Sequence, residues 1–454
     1  MWRQLTSHWK LHKYSILQVL ASIALYASFA YDLQREDFIK LLTLCIALFF
    51  LCYKIIQFQK WNFKFLLGVG ILFRLVFLFA EPNLSQDFYR FIWDGELINN
   101  FKNPYLYLPK VLIEQKDLPI ANAQELYNGM GELSPKFYSN YPPLNQLIFA
   151  LASLLGGKTI LGSILVMRIS IILADIGIVY FGRKLLKNLN RSPHLIFWYF
   201  LNPLVLIELT GNLHFEGVML FFFIWSLYLL SIEKWKTSAV VYALSILTKL
   251  VPLLFLPLFL THFKFKKSVQ FYAIVGVTTI TLLVPFYSSE FIANYSETVG
   301  LWFSNFEFNA SIYTIIKHTA ISFFDSKPWE LIKAYGKVTP IITICVVLLF
   351  TFLRENRNLN TLISSMLFTL TIYYFISTTV HPWYIIFLTL LTLFTNYKYA
   401  VVWSSAIILS YWAYGQPDFK ENLGLLFIEY SSVFAIILYE FITQRNKKRL
   451  FCKK

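Results

Sequence analysis

Charged residues are the first thing this sequence lacks. Only 14% of its 454 residues are Asp, Glu, Lys or Arg, whereas 57% are hydrophobic and the mean hydropathy is +0.56. A soluble domain carries roughly 25% charged residues to cover its surface with water-compatible groups. The composition therefore excludes an ordinary soluble globular protein and predicts a membrane protein.

Cysteine is also scarce, and its placement excludes two further classes of protein. Three of the four cysteines, Cys45, Cys52 and Cys345, lie in apolar runs, and Cys452 lies in a basic tail. None of these spacings matches a disulfide framework or a zinc site. We therefore interpret the cysteines as small apolar packing residues.

Acidic residues are too few to balance the basic ones, which leaves a net charge of +15. The basic residues do not form one patch, as a nucleic-acid surface would require. They recur in short segments between apolar runs, at 60–64, 183–191, 264–267 and 445–454. Short basic loops between apolar spans mark the cytoplasmic side of a membrane protein. This pattern places both termini in the cytoplasm.

Long apolar runs are what the sequence has in abundance. Segments such as 14–31 and 38–58 approach the roughly 20 residues that cross a bilayer as a helix. The first run is too long for a signal-peptide core, so we expect a retained first helix. We predict an all-α, polytopic bundle of about 12–14 spans, folded as one domain over 1–454. The run at 237–261 should be broken at "TKLVP" into shorter helices or a re-entrant hairpin.

The segment at 81–142 is the longest polar interruption, and the predicted topology places it outside the cell. It begins with "SQDFYRFIWDGELINNFKNPY" (85–105), where Asp87, Arg90 and Asp94 are spaced i, i+3, i+7. On a helix these three side chains share one edge. Two interpretations stay open from the spacing alone: a solvated helix at the membrane surface, or part of an active site.

Other polar groups fall on the same predicted side. They are His214 and Glu216 in "GNLHFEG", Glu307 and Asn309, and His381 in "HPWY". Each alone has a plain explanation, such as a helix cap or an aromatic belt at the interface. Their convergence on one side favours a functional site.

Four charged residues lie inside apolar runs: Arg74, Arg168, Asp175 and Lys249. Such charges face protein or a water-filled cavity. Arg168 and Asp175 are seven residues apart and can share a helix face, which favours a structural ion pair.

Several motifs together resemble a known family. They are "SQDFYRFIWDG" followed by "NPY", "YPPLNQLIFAL", "GNLHFEGVMLFFF", "LTKLVPLLFLPL", "FEFNASIY" and "HPWY", spread from Arg74 to Tyr384. The sequence resembles the polyprenol-phosphate-mannose-dependent mannosyltransferases. These are multi-span GT-C glycosyltransferases, distantly related to the catalytic subunit of GPI mannosyltransferase I.

The resemblance implies an active site at the outer end of the bundle, with Asp87 as the catalytic residue. Many relatives carry paired acids here, whereas this sequence has Gln86 before Asp87. One carboxylate can serve as a general base but is a poor site for a divalent cation. We therefore expect no cofactor and no obligatory metal.

The same resemblance and the chemistry of sugar transfer suggest further roles. The implied reaction moves mannose from a polyprenyl-phosphate donor to a glycan or glycolipid acceptor, with inversion. Arg90 would keep Asp87 ionised, Arg74, Lys249 and His381 could bind the phosphate, and Trp93, Tyr105, Trp302 and Trp383 could stack on sugars. The full set of predicted substrate-binding residues is Arg74, Arg90, Asp94, Tyr105, His214, Glu216, Lys249, Asn309, His381, Trp383 and Tyr384.

Two other functions remain open from the sequence: a transporter or flippase for lipid-linked glycans, and a polymerase or ligase using a polyprenyl-diphosphate donor. A transporter is expected to show internal repeats and charges near the membrane midplane. This sequence instead concentrates its acidic residues in the 81–142 segment.

Overall fold

The computed structural model describes the backbone of residues 2–451 and the side chains of residues 13–301 and 305–444. Cys452, the side chain of Trp302 and the side chains of the basic tail at 445–454 lie outside the described residues. Within the described backbone there is no β-strand, and one isolated bridge joins Phe308 to Thr379. The helices are α1 (Trp2–Asp32), α2 (Phe38–Gln59), α3 (Phe63–Val76), α4 (Asp87–Asn99), α5 (Pro109–Leu112), α6 (Ala123–Gly129), α7 (Pro143–Leu155), α8 (Ile160–Asn188), α9 (Phe197–Phe200), α10 (Pro203–Val205), α11 (Glu216–Ser231), α12 (Trp235–Thr248), α13 (Phe259–His262), α14 (Phe265–Leu283), α15 (Ser289–Ser304), α16 (Ile312–Phe324), α17 (Pro328–Leu353), α18 (Leu359–Ile376), α19 (Ile385–Leu393), α20 (Tyr399–Ala406) and α21 (Leu423–Phe451).

Seven helical segments in the described residues are long and apolar enough to cross a membrane. A bent pair, Pro193–Phe200 and Pro203–Gly211, meets at 54° and makes an eighth if it counts as one span. The seven are Lys13–Asp32, Phe38–Gln59, Ile160–Asn188, Phe265–Phe286, Pro328–Leu353, Leu359–Ile376 and Leu423–Gln444. The predicted all-α, multi-span bundle is confirmed.

The described residues hold seven or eight full-length spans rather than the predicted 12–14, because several apolar runs form short helices. Helix α3 has 14 residues, α11 has 16 and α12 has 14. An apolar run marks a buried environment but does not mark where a helix ends. The predicted break at "TKLVP" is confirmed, since α12 ends at Thr248 and a 3₁₀-helix covers Val251–Leu258.

The polar segment at 81–142 is folded onto the bundle. It contains α4, α5, α6 and a 3₁₀ turn at Ser134–Lys136, and α4 packs along α7. Gly95 makes this contact possible, because a Cβ there would lie 2.2 Å from the carbonyl oxygen of Phe149. The close approach of α4 and α7 holds the first turn of α4 in a fixed position.

The charges inside the apolar bundle are paired differently from the prediction. Arg74 on α3, and not Arg168, forms the ion pair with Asp175, with 2.9 Å between Arg74 Nε and Asp175 Oδ2. Both side chains are fully buried, and the hydroxyl of Tyr199 donates to Asp175 at 2.8 Å. Arg168 instead donates to backbone carbonyls, including those of Thr210 and Gly211. The spacing of two charged residues in one helix does not show whether either pairs with a residue on another helix.

Candidate active site

Asp87 is the first residue of α4, where the chain enters the helix from the polar segment. Its backbone N–H donates to the Ser85 hydroxyl at 3.3 Å, and its carboxylate accepts a weak contact of 3.4 Å from the Tyr141 hydroxyl. The side chain is partly exposed. A helix N-terminus is electrostatically favourable for an anion, so this carboxylate is both accessible and well placed.

Arg90 and Asp94 form a buried ion pair with each other on α4. Arg90 Nε lies 2.7 Å from Asp94 Oδ1, and the Arg90 guanidinium also donates to the carbonyls of Ser134 and Phe137. Arg90 is 4% exposed and Asp94 is 0% exposed. Arg90 therefore pairs with Asp94 rather than with Asp87, and it fastens the 134–137 backbone to α4.

Asp94 completes this buried network on its other oxygen. Asp94 Oδ2 accepts from the Ser139 hydroxyl at 2.5 Å and from Gln146 Nε2 at 3.1 Å. The predicted role of Arg90 and Asp94 as substrate ligands finds no support in this arrangement. They hold the loop before α7, which carries Tyr141, against the helix that carries Asp87.

Four aromatic rings form a stacked series beside α11 and α19. The ring centroids of His214 and Trp383 are 3.8 Å apart, those of Trp383 and His381 are 4.4 Å apart, and those of His381 and Phe308 are 5.0 Å apart. The interplanar angles are 20°, 5° and 25°. The predicted candidates His214, His381 and Trp383 therefore form one stack, although His214 and His381 are 167 positions apart in the sequence.

The indole of Trp383 stacks on the imidazole rings of His214 and His381. The prediction that it stacks on a sugar finds no support, because the indole already lies against His214 and His381. Its contacts instead fix both imidazole planes. Each histidine keeps one buried ring nitrogen, Nε2 of His214 and Nδ1 of His381, without a hydrogen-bond partner.

Glu208 orients His214 from a π-helical turn at Leu206–Gly211. Nδ1 of His214 lies 2.8 Å from Glu208 Oε2 and 3.1 Å from the Glu208 carbonyl oxygen, with hydrogen-bond geometry at the carbonyl. The Tyr411 hydroxyl donates to Oε1 of the same carboxylate. π-helical turns occur often at functional sites, and a carboxylate beside one ring nitrogen fixes the imidazole orientation.

Lys249 and Glu216 form an ion pair at the end of α12. The ammonium of Lys249 bonds Glu216 Oε1, the Lys249 side chain is 20% exposed, and Glu216 Oε2 has no partner. Lys249 lies where α12 ends and the backbone becomes extended. The pair combines one cation that is open to a ligand with one unused carboxylate oxygen.

Ring contacts link α4 to the turn that carries His214 and Glu216. The ring centroid of Phe91 lies 4.9 Å from that of Tyr141 and 5.6 Å from that of Phe215.

Burial raises the pKa of Tyr141 well above its usual value, and the negative charges of Asp87, Asp94 and Glu216 add to this. Burial also raises the pKa of Tyr384, and the neighbouring Tyr373 and the negative charges of Glu216 and Asp87 add to this. Asp87 and Glu216, the ion-pair partner of Lys249, are therefore within electrostatic range of the same two hydroxyl groups. We call the set Asp87, Tyr141, Glu208, His214, Glu216, Lys249, His381 and Tyr384 the polar cluster.

His381 is held in its neutral form by its surroundings. Burial lowers its pKa to about 3, and the neighbouring His214 and Lys249 act in the same direction. A neutral imidazole offers a hydrogen bond but no positive charge. The predicted phosphate-binding role of His381 is therefore limited, in the ligand-free protein, to a neutral contact.

Several predicted residues lie outside the polar cluster. Tyr105 is fully buried, donates to the Tyr141 carbonyl at 2.5 Å and packs against Phe286 and Phe291, so its predicted stacking on a sugar finds no support. Trp93 is fully buried as well. The buried Arg74 is committed to Asp175, so its predicted role at a phosphate finds no support.

Asn309 connects the 305–311 loop to the C-terminal helix. Its backbone N–H bonds Glu421, its side-chain amide donates to Glu429 at 3.1 Å, and its carbonyl accepts from Tyr430 at 2.6 Å. These contacts are structural, although the neighbouring Phe308 extends the aromatic stack. The predicted substrate contact of Asn309 finds no support.

Sequence reasoning missed three members or neighbours of the cluster: Glu208, Tyr141 and Tyr411. Glu208 carried a usable signal, since an acidic residue inside an apolar run is a candidate functional group. Tyr141 stands in the quoted "YPPLNQ" motif. Tyr411 had no signal, because a single tyrosine in an apolar stretch is common.

The side chains of the polar cluster are poorly suited to binding a resident metal ion. In the part of the chain that the structure describes, no three His, Cys, Asp or Glu side chains come together as metal ligands. The expectation that activity does not require a divalent cation stays a prediction, and no step below uses one.

Comparison with known proteins identifies the chain. A family model described as "Alpha-(1->6)-mannopyranosyltransferase, N-terminal domain" matches residues 27–264, just over half of the 454 residues. The matched region contains Asp87, Glu208, His214, Glu216 and Lys249, and it ends before the "HPWY" motif. No curated protein matches the chain. The chain thus belongs to the alpha-(1->6)-mannopyranosyltransferase family and is a membrane glycosyltransferase of the mannosyltransferase type.

Proposed function

We propose that the protein transfers mannose from a polyprenyl-phosphate donor to a hydroxyl group of a glycan or glycolipid on the outer face of the membrane. The family supports the transfer of mannose, and its description suggests an α-(1→6) linkage. The multi-span bundle supports a donor with a lipid tail. The observation that carries the proposal is the partly exposed carboxylate of Asp87, which accepts from the Tyr141 hydroxyl at 3.4 Å. The Phe91 ring contacts both Tyr141 and Phe215, the residue between His214 and Glu216, and Glu216 pairs with Lys249.

Asp87 acts as the general base in this proposal. The acceptor hydroxyl attacks C1 of the mannose while its proton moves to the Asp87 carboxylate. The C1–O bond to the phosphate breaks, and the phosphate leaves with the bonding electron pair. Attack opposite to the leaving group inverts C1, so a β-linked donor gives an α-mannoside. General-base assistance of this kind contributes about 10²–10⁴-fold to the rate.

Lys249 stabilises the negative charge that develops on the leaving phosphate. Its ammonium is partly exposed, and Glu216 positions it. Fixed positive charge at a developing anion lowers the barrier, because it is already oriented before the reaction. The unpartnered Nε2 of His214, oriented through Nδ1 by Glu208, supplies a second polar contact to the phosphate or the sugar hydroxyls.

The arrangement around Asp87 favours a transferase over a transporter. The Arg90–Asp94 network and the α4–α7 contact hold the catalytic carboxylate on a rigid support. Groups that act on a reacting atom need such fixed positions, and catalysis suffers from small displacements.

The donor is tested by supplying purified protein in liposomes with labelled mannose on either a polyprenyl phosphate or a nucleoside diphosphate. We expect transfer from the lipid-linked donor alone, with an α-(1→6)-linked product. Transfer from the nucleotide sugar alone would contradict the proposed donor. Transfer of a different lipid-linked sugar in preference to mannose would contradict the substrate.

A further inference from the structure

The strongest unexplained feature is a polar cavity at the end of the bundle opposite the polar cluster. Helix α18 begins at Leu359 beside this cavity and ends at Ile376, shortly before His381. Its 18 residues place the two regions roughly 27 Å apart along the helix axis. Nothing in the proposed reaction uses this end of the molecule.

The cavity is large and its lining is polar. Its volume is about 520 Å³, whereas a site needs only about 10–15 Å³ by the same measure to hold one water molecule. Its polar lining includes Arg191, Arg354, Asn360, Ser364, Asn396 and Gln444. Two guanidinium groups, amides and a hydroxyl provide donors for an oxyanion, and the volume exceeds that of a lone phosphate.

The two arginines lack acidic partners. Within the described side chains, neither Arg191 nor Arg354 has a carboxylate within ion-pair distance. Arg191 donates to the Thr395 carbonyl and the Asn396 side chain, each at 2.6 Å, and its buried Nε has no partner. The nearby carboxylate of Glu440 accepts from the backbone N–H groups of Lys398 and Tyr399. Two positive charges on one polar cavity, neither held in an ion pair with a described side chain, favour the binding of an anion.

Arg354 is the arginine most available to a ligand. Its guanidinium carbon lies 5.1 Å from the ring centroid of Phe368 and 5.8 Å from that of Phe350. In the described part of the chain, this guanidinium makes no hydrogen bond. Aromatic faces hold the group in place while its N–H donors stay unused.

The neighbouring helix connects the cavity to the membrane interior. Gln444 lines the cavity, and Phe441, on the same face of α21, is an exposed apolar side chain whose ring centroid lies 5.4 Å from that of the lining residue Tyr397. Exposed apolar residues on a membrane-spanning helix face lipid chains. A molecule with a phosphate head at the cavity would therefore have its acyl chains along α21.

We propose that this cavity binds the phosphodiester headgroup of an anionic phospholipid, with Arg354 and Arg191 as its cationic contacts. The lining residues Asn190 and Arg191 belong to the basic 183–191 segment, and short basic segments of this kind face the anionic cytoplasmic leaflet. The proposal does not depend on the proposed sugar transfer.

Native mass spectrometry of the full chain, purified in detergent, tests the site. Phosphatidylglycerol and phosphatidylcholine with identical acyl chains are added in turn to the wild type, Arg354→Gln and Arg357→Gln. Arg357 is exposed on the same loop and does not line the cavity, so it is a matched control. We expect selective retention of phosphatidylglycerol, weakened at least about fivefold by Arg354→Gln and by less than about twofold by Arg357→Gln.

A second variant covers the case in which Arg354→Gln does not fold. Asn360→Asp places a negative charge at the exposed edge of the cavity and should also weaken phosphatidylglycerol binding. Equal losses in Arg354→Gln and Arg357→Gln, or no preference between the two lipids, would overturn the proposal. Displacement of the lipid by millimolar inorganic phosphate would assign the cavity to a soluble phosphate and overturn the lipid assignment.

Discussion

At the scale of single residues, burial separates the charged groups into two kinds. Arg74, Arg90, Asp94 and Asp175 are buried and paired, and they hold helices and loops together. Asp87 is partly exposed and accepts one long contact from Tyr141. A group that must exchange a proton with a substrate has to be reachable, so Asp87 is the residue of this set that can act as a base.

Removing one partner of the Arg74–Asp175 pair should destabilise the protein. Arg74→Met leaves Asp175 buried without a counter-charge, which costs about 3–5 kcal/mol. We expect a lower thermal midpoint in detergent. The double variant Arg74→Met/Asp175→Leu should recover much of the loss, because it leaves no isolated charge. A stable Arg74→Met protein with a raised KM for the donor would instead show that Arg74 binds substrate.

The depressed pKa of His381 predicts a stability that depends on pH. In the unfolded chain the imidazole gains a proton near pH 6.5, whereas in the folded protein it does so only near pH 3. The unfolded state therefore binds more protons as pH falls between these values, and folding loses stability. Thermal midpoints at pH 7.5 and pH 4.5 should differ less for His381→Gln than for the wild type.

His318, exposed on α16, provides the control for this measurement. His318→Gln should keep the acid sensitivity of the wild type. If His381→Gln loses as much stability on acidification as His318→Gln does, the imidazole of His381 is not held neutral by the fold.

At the scale of elements, the contact between α4 and α7 positions the candidate base. Gly95 faces the backbone of Phe149, and Asp94 binds Gln146 on the same helix. The motif "IWDG" thus combines a buried acid with a glycine at a close helix crossing. The position of Asp87 depends on this crossing, because Asp87 and Gly95 lie on the same helix, α4.

Gly95→Ala should separate α4 from α7. The added methyl group would overlap the Phe149 carbonyl, which costs about 1–3 kcal/mol and shifts the first turn of α4. We expect lower transferase activity and a lower thermal midpoint. Gly68→Ala on α3 is the matched control, since nothing lies within 4 Å of its added Cβ. Equal behaviour of the two variants would show that the crossing is not tight.

The elements also show what the sequence could predict. The composition and the length of the apolar runs were enough to predict a helical bundle. The spacing of Asp87, Arg90 and Asp94 was enough to predict that they share one helix. The partners of these charges were not predictable, because Arg74–Asp175 and Asp94–Gln146 join residues that are far apart in the chain. The stack of His214, Trp383 and His381 likewise depends on tertiary packing.

At the scale of the whole molecule, the two ends of the bundle have different proposed functions: sugar transfer at one end and lipid binding at the other. The polar cluster lies at one end of α18, and the basic, cavity-forming loops lie at the other. The positive-inside pattern predicts that the first end faces outward and that the second faces the cytoplasm. This orientation places the proposed acceptor outside the cell.

Single-cysteine labelling tests the orientation. Asp117 on the 81–142 segment and Lys187 near the end of α8 are both exposed. Each is replaced by Cys in a cysteine-free background. An impermeant maleimide on intact cells should label Asp117→Cys at once. It should label Lys187→Cys only after permeabilisation. The reverse pattern would invert the predicted topology.

The assignment of Asp87 as the general base is tested most directly by Asp87→Asn, assayed for mannose transfer from a polyprenyl-phosphate donor. Asp117→Asn makes the same chemical change at an exposed position of the same segment and serves as the control. We predict that kcat falls about 10²–10⁴-fold in Asp87→Asn, with an unchanged thermal midpoint, and stays at the wild-type level in Asp117→Asn. Transfer by Asp87→Asn at the wild-type rate would contradict the account.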